Sequence, residues 1–326
     1  MSEPLPSPTV ATTAAAPSLA PVRIPGQFAQ AWTSGRLLAW AALLLLLGVT
    51  LAPLAVMLAT ALTPGDQLVQ QGGLRGLVHL VPGGEGTLVN FRRVLGGLSA
   101  DESLRLGGSG AEVNILRALG NSLVFTGLVV VLQTANSAMA AYAFARLQFR
   151  GRQALFGLFV GSMMLPSVVL FIPNFILVKE LGWLNSMAGM VAPFALMSGS
   201  SIFFLRQAFL SLPRELEEAA LIDGASHFMI FRRIVLPLSA APLATVATLT
   251  GIGMWNEFFW PFIVSPQDEH QVLPVALQAF KSQTPQGQID WTGLMAAATI
   301  TAAPTLLLLA ALGRRLVESV QHSGGK

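Results

Sequence analysis

The sequence predicts an all-α polytopic membrane protein with six transmembrane helices, and two observations carry that prediction. Hydrophobic residues make up 53% of the 326 residues and charged residues only 11%, where soluble domains carry about 25% charged. A chain so poor in charge cannot cover a water-facing surface of its own size. The apolar surplus is also segmented. It falls in six runs, each bounded by charge or turn residues and each near the roughly 20 residues that cross a hydrocarbon core.

In chain order, residues 1–36 are rich in Ala, Pro, Ser and Thr without apolar periodicity, the composition of a disordered tail. Residues 37–62 are apolar without a charge and form the first expected span. Ala59-Thr60-Ala61 resembles a signal-peptidase site, but the apolar run is too long for a signal peptide and starts too far from Met1. A Gly-rich loop of mixed charge fills 63–118. The remaining expected spans are 119–145, 154–178, 187–205, 234–256 and 293–312, with a terminal tail at 315–326.

Basic residues set the orientation. With the N-terminus inside, the cytoplasmic side holds Arg23, Arg36, Arg146, Arg150, Arg152, Arg206, Arg214, Arg232, Arg233, Arg314, Arg315 and Lys326. The outside holds Arg75, Arg92, Arg93, Arg105, Arg117, Lys179 and Lys281, five of them in the one long loop. Long loops weigh little in this rule, so both termini and the 206–233 stretch are expected in the cytoplasm.

The spans contain no Asp, Glu, Lys, Arg or His. Ion-coupled carriers place such groups at membrane depth, so their absence argues against secondary transport. The spans do carry Asn121, Gln133, Asn136, Asn174 and Asn256. Two roles are open to these amides: hydrogen bonding to a neutral, polyhydroxylated solute, or joining helix to helix. Gly251, Gly253, Met254, Trp255 and Asn256 are similarly open to lining a gate or packing. Pro166, Pro173, Pro242 and Pro304 interrupt the backbone ladder within spans.

The organising stretch is Ser211–Leu238, the most polar part of the C-terminal half. Glu215, Glu217 and Glu218 follow Pro213 at a helix start, where the macrodipole favours negative charge. Leu216, Ala219 and Ala220 share one face, Gly224 permits a sharp turn, and Ser226 can cap a second helix. That helix carries Phe228, Phe231, Arg232 and Arg233 before Leu236-Pro237. It reads as a helix–turn–helix at a membrane surface presenting carboxylates and small side chains.

Here the sequence resembles a known family. Glu218-Ala219-Ala220, Gly224 and Ile234-x-Leu236-Pro237 fill every fixed position of the signature of permease subunits of binding-protein-dependent ABC importers. Further stretches are similar to the carbohydrate-uptake, maltose-type subfamily: Asn121-Ser122-Leu123, Tyr142 to Arg146, Leu181 to Asn185, Trp255 to Phe258 and Leu277 to Phe280. The tail and the 63–118 loop are longer than that pattern requires. The resemblance implies a type I importer permease fold with a five-helix core, 119–314 as that core, and coupling helices at 211–233. It implies that Glu218, Ala219, Ala220, Gly224, Ile234, Leu236 and Pro237 couple to a separate ATPase, which holds the ATP and Mg; this chain would bind no cofactor. The implied partners are a second permease chain (by the subfamily's habit a different one), two ATPase subunits, an extracytoplasmic solute-binding protein and the lipid of a bacterial inner membrane. Gln133, Asn136, Asn174, Trp255 and Asn256 are the candidate pathway residues.

Other chemistry finds no support. The chain has no cysteine, which removes thiolate ligands and nucleophiles, and no phosphate-loop, H-E-x-x-H or G-x-S-x-G motif. His227 and His270 lack a second ligand at metal spacing, and a net charge of +3 is too small to imply nucleic acid. The alternative class is an ATP-independent channel or facilitator, which has no use for the 211–238 stretch.

Overall fold

A computed structural model describes residues 27–65, 86–109, 113–267, 269–281 and 289–324. The described chain is helical, with no strand among those residues. The expected tail up to residue 26, and residues 66–85 and 110–112 of the expected 63–118 loop, lie outside them. Two compact units meet within the first helix, one up to Pro53 and one from Leu54 onward.

Helix α1 covers Gln27–Ala61, starting ahead of the expected Leu37. Side chains such as Leu37, Leu44 and Leu46 are exposed, as a lipid-facing helix requires. Two short helices follow, α2 (Val89–Val94) and α3 (Ala100–Arg105). Helix α3 opens on a capping box, with Ser99 and Glu102 exchanging backbone hydrogen bonds. The N–H that Ser99 donates holds the Glu102 carboxyl below its ordinary pKa.

Helix α4 (Ile115–Arg146) is the spine of the larger unit. Its 32 residues rise about 48 Å. Three buried clusters sit along it in turn. The first joins Ile115 and Ala118 to Val94, Trp255, Leu273 and Ala297. The second joins Phe125 and Val129 to Val178, Met190 and Trp260. The third joins Ala138, Ala141, Tyr142 and Ala145 to Leu205, Phe209, Ile230 and Val235. Small side chains at α4's last turns let its neighbours approach closely.

Three expected spans are not continuous. Helix α5 (Arg152–Ser162) and the segment Ser167–Glu180, a 3₁₀ turn leading into α6 (Phe171–Glu180), meet at 99°. Helices α7 (Met187–Ala195) and α8 (Gly199–Leu210) meet at 46°. Helix α10 (His227–Leu238), with a π-turn at Phe231–Val235, meets α11 (Ala240–Trp255) at 79°. Proline explains the placement: Pro166 precedes the 3₁₀ turn, Pro193 lies in α7, and Pro237 and Pro242 flank the third bend. Each lacks a donor and pushes away the carbonyl of the preceding turn. Among the described residues two helices, Gly35–Ala61 and α4, are long and apolar enough to cross a membrane, and five elements are if each bent pair counts as one. After the short helices α12 (Phe259–Val264) and α13 (Leu273–Ala276), helix α14 (Trp291–Gly324) contains a shorter apolar stretch, Trp291–Leu307, and runs on through the expected terminal tail.

Spacing does not reveal the buried charges next to the loop. Arg93 on α2 pairs two-pronged with Asp290, at 2.9 and 3.0 Å, the two side chains being 4% and 1% exposed. Arg93 also donates to Thr292. Asp290 accepts from the backbone of Ser109 and Gly293, so it caps α14 as well. A Cβ on Gly108 would collide with the Arg93 guanidinium, which keeps that position small. Removing one partner of a buried pair costs about 3–5 kcal/mol because the other charge is stranded. Arg93→Met is therefore expected to lower thermal stability in detergent, and adding Asp290→Asn should restore part of the loss. A single variant as stable as the wild type would show that the pair does not hold the loop.

Candidate functional site

Between α8 and α11 the chain leaves the spans as a helix pair. Helix α9 (Glu215–Ile222) has Glu215, Glu217 and Glu218 in its first turn, where unpaired N–H groups attract acids. It ends at Gly224 in the left-handed region, φ 82°. Gly224 N–H donates to Leu221 O at 3.0 Å and Ala225 N–H to Ala220 O at 2.9 Å, the double bond of a Schellman turn. Ser226 Oγ then accepts from Met229 N–H and caps α10.

The seven signature residues divide by direction. Glu218, Ala219 and Gly224 are exposed, beside Leu216 and an Ile222 that is 87% exposed. Ala220, Ile234 and Leu236 turn inward and pack against the cluster at the end of α4, while Pro237 is exposed at the bend. One face thus presents acids and apolar side chains outward, and the other is anchored.

The anchor includes a pair that the sequence does not disclose. Arg146, the last residue of α4, lies 2.7 Å from Glu217 on α9, the side chains being 5% and 13% exposed. This contact lies off the direction of a hydrogen bond, so it is a charge contact. The guanidinium also donates to Phe209 O at 2.7 Å and Leu212 O at 2.8 Å. One side chain therefore ties α4, the end of α8 and α9 together. Tyr142, one turn earlier, stacks obliquely on Phe231 of α10 with centroids 5.2 Å apart. Beside this joint lies a cleft of about 860 Å³ lined by Arg146, Arg152, Arg214, Glu217 and Glu218.

The candidate pathway residues do not form one site. Gln133 lines a groove of about 460 Å³ with Ser198, Ser200, Ser201, Thr250 and Phe204, enclosed by α4, α8 and α11 without a charged side chain. Asn136 instead donates to Ala195 O at 3.0 Å, and Ser137 accepts from Ser198 N–H, so both bind the break between α7 and α8. Trp255 is buried and donates from its indole to Thr301 O on α14. Asn256 is exposed and donates to Ile252 O within its own helix end, and Asn174 on α6 is half-buried away from the groove. The serines are not evident from the sequence, in which Ser198-Gly199-Ser200-Ser201 reads as part of the continuous apolar span 187–205. Its concentration of hydroxyls beside a glycine was the available signal. Among the described residues no group of His, Asp or Glu is arranged to hold a metal ion.

The chain is 34% identical over 207 residues to a probable ABC transporter permease of Bacillus subtilis, covering 63% of this chain and 68% of that one. It is 34% identical to an arabinooligosaccharides transport system permease of Halalkalibacterium halodurans, covering 64% and 73%. It is 33% identical to a trehalose/maltose transport system permease of Thermococcus litoralis, covering 63% and 73%. In fold it is similar to a chain in the crystal structure of a bacterial ABC transporter involved in alginate import, with TM-score 0.69, 21% identity, and coverage of 90% and 99%. The model of the binding-protein-dependent transport system inner membrane component matches residues 137–322, more than half of the chain and all of the α9–α10 element, and the chain belongs to that family of multi-pass, non-enzymatic permeases.

Proposed function

We propose that this chain forms half of the translocation pathway of an ATP-driven sugar importer and receives the ATPase at its α9–α10 element. The observation that carries this reading is the anchored, outward-facing helix pair: α9 offers Glu218, Ala219, Leu216 and Ile222 to a partner while Arg146 and the third cluster hold its other side. Apolar side chains rimmed by acids fit a protein groove better than they fit water.

The coupling is mechanical. Two ATPase subunits, holding ATP and Mg, close and draw their docked helix pairs together. Helix α9 moves as one body with the end of α4, because Arg146 and Glu217 resist separation in a water-poor joint. The same displacement passes through α10 into α11. Helices α4, α8 and α11 line the Gln133 groove, so the groove is where the motion is felt. A second permease chain completes the pathway, and an extracytoplasmic binding protein supplies the solute. Helix α14 would serve as the sixth crossing, with both termini cytoplasmic. Named relatives transport arabinooligosaccharides, trehalose and maltose, and sn-glycerol 3-phosphate. The groove sets hydroxyls and one amide beside Phe204 and the aliphatic Val246, Leu249 and Met254, without a cation in its lining, which suits a neutral, polyhydroxylated solute over a phosphate ester.

Purification from native membranes in mild detergent tests the whole reading: a second permease and an ATPase should co-purify with the tagged chain. A homo-oligomer passing solute without ATP would instead establish the facilitator. Gly224→Pro cannot adopt the positive φ of the turn and is expected to leave insertion intact while abolishing ATP-driven uptake. Gly224→Ala meets no neighbour and bears only the left-handed penalty of about 1–2 kcal/mol, so its uptake should be reduced far less. Equal uptake by both would remove the turn from the coupling route. Arg146→Met strands Glu217 and unties three elements. It should lower uptake at unchanged ATPase retention, whereas Glu218→Lys should lower retention itself, as read by the ATPase:permease ratio after purification.

A further inference from the structure

On the side of α4 away from the Gln133 groove lies a second, apolar groove of about 630 Å³ between α4, α10 and α11. Its floor is made of small side chains, Ala135 and Ala138 from α4 with Ala244 and Ala247 from α11. Apart from Thr134 and Arg232, every lining side chain is apolar. Phe228 and Arg232, one turn apart on α10, stand at one end, and both are exposed. Arg232 has no ion pair among the described residues.

We infer that this groove is a binding site for an anionic phospholipid of the cytoplasmic leaflet, one acyl chain lying along the alanine floor and the headgroup phosphate on Arg232. The geometry sets the depth. Helix α10 stands at 79° to α11, so when α11 crosses the bilayer α10 lies near the interfacial plane, where Arg232 and Phe228 meet headgroups. An unpaired guanidinium at the mouth of an apolar slot matches a lipid, with its anionic head and hydrocarbon tail, in both charge and polarity. A neutral sugar matches neither end. Arginine also grips phosphate two-pronged, which a lysine cannot do. The groove touches α10, so a lipid seated there braces the element through which ATPase motion enters the membrane. The orientation used here rests on the function proposed above; the groove and its charge do not.

The chain contains no cysteine, so Ala247→Cys, combined with partner subunits cleared of cysteine, can carry a single fluorophore in the assembled complex. The complex would be placed in phosphatidylcholine vesicles containing brominated-chain phosphatidylglycerol or, separately, brominated-chain phosphatidylcholine. Half-maximal quenching is expected at about fivefold lower mole fraction of the anionic lipid, the selectivity that one basic residue near a surface supports. Arg232→Gln should erase the difference, Arg233→Gln, outside the groove lining, should leave it, and Ala244→Phe should fill the groove and reduce quenching by both lipids. Equal quenching by the two lipids in the unsubstituted background overturns the headgroup assignment. Absence of quenching together with cross-linking from Ala247→Cys to the second permease shows the groove to be a subunit interface and overturns the site. Uptake is scored in the same vesicles, so intact ATP-driven uptake without lipid preference sinks this inference alone.

Discussion

A helix broken inside a bilayer exposes N–H and C=O groups that hydrocarbon cannot satisfy, and most of this structure follows from how α4 meets that constraint. Asn136 and Ser137 serve the break between α7 and α8. Near the start of the same helix, Asn121 donates to the carbonyls of Glu269 and Gln271, and Ser122 accepts from Leu273 N–H. Its last residue, Arg146, takes the free carbonyls where α8 ends. A single unbroken helix thus supplies the polar partners for elements that could not be broken without it. Its own ladder is complete, so its side chains are free for that work.

The same constraint explains what was legible in the sequence. Composition alone reveals lipid as the solvent, because hydrophobic burial needs only amount and segmentation. The helix–turn–helix at 211–238 was legible because its signals are local: acids at a helix start, a glycine at a left-handed turn, a serine cap. Breaks were not legible. Proline is tolerated in membrane helices when neighbours repair the ladder, and the repair comes from residues such as Asn136, 59 positions from the carbonyl it serves. The Arg93–Asp290 and Arg146–Glu217 pairs are hidden for the same reason, since no periodicity links charges so far apart in the chain.

The polar residues of the spans show where reading by type runs out. Gln133, Asn136 and Asn256 are equivalent in composition, yet one faces a groove, one mends a break and one bonds within its own helix end. An amide three residues further along α4 points about 300° round the helix, so face and not chemistry decides the role. The hydroxyls of Ser198, Ser200 and Ser201 reach the groove because the backbone breaks there. On a continuous helix the three would span an arc of about 160°; here Ser198 stands at the break, and Ser200 and Ser201 lie in the first turn after it.

Two routes leave the α9–α10 element, and they differ in stiffness. Through α10 the chain passes a π-turn and a 79° bend before entering α11, and wide turns and bends yield under load. Through Arg146 the connection is a single side chain with one charge contact and two hydrogen bonds, almost wholly screened from water, at the end of an unbroken 32-residue helix. Although a cleft lies beside that joint, Ala141 and Ala145 pack in one buried cluster with Leu205, Phe209 and Val235, which backs the joint. Displacement of α9 should therefore reach the Gln133 groove along α4 with less loss than along the covalent path. Under the proposed coupling, the covalent path through Leu236-Pro237 would serve mainly to let α11 tilt as α4 moves.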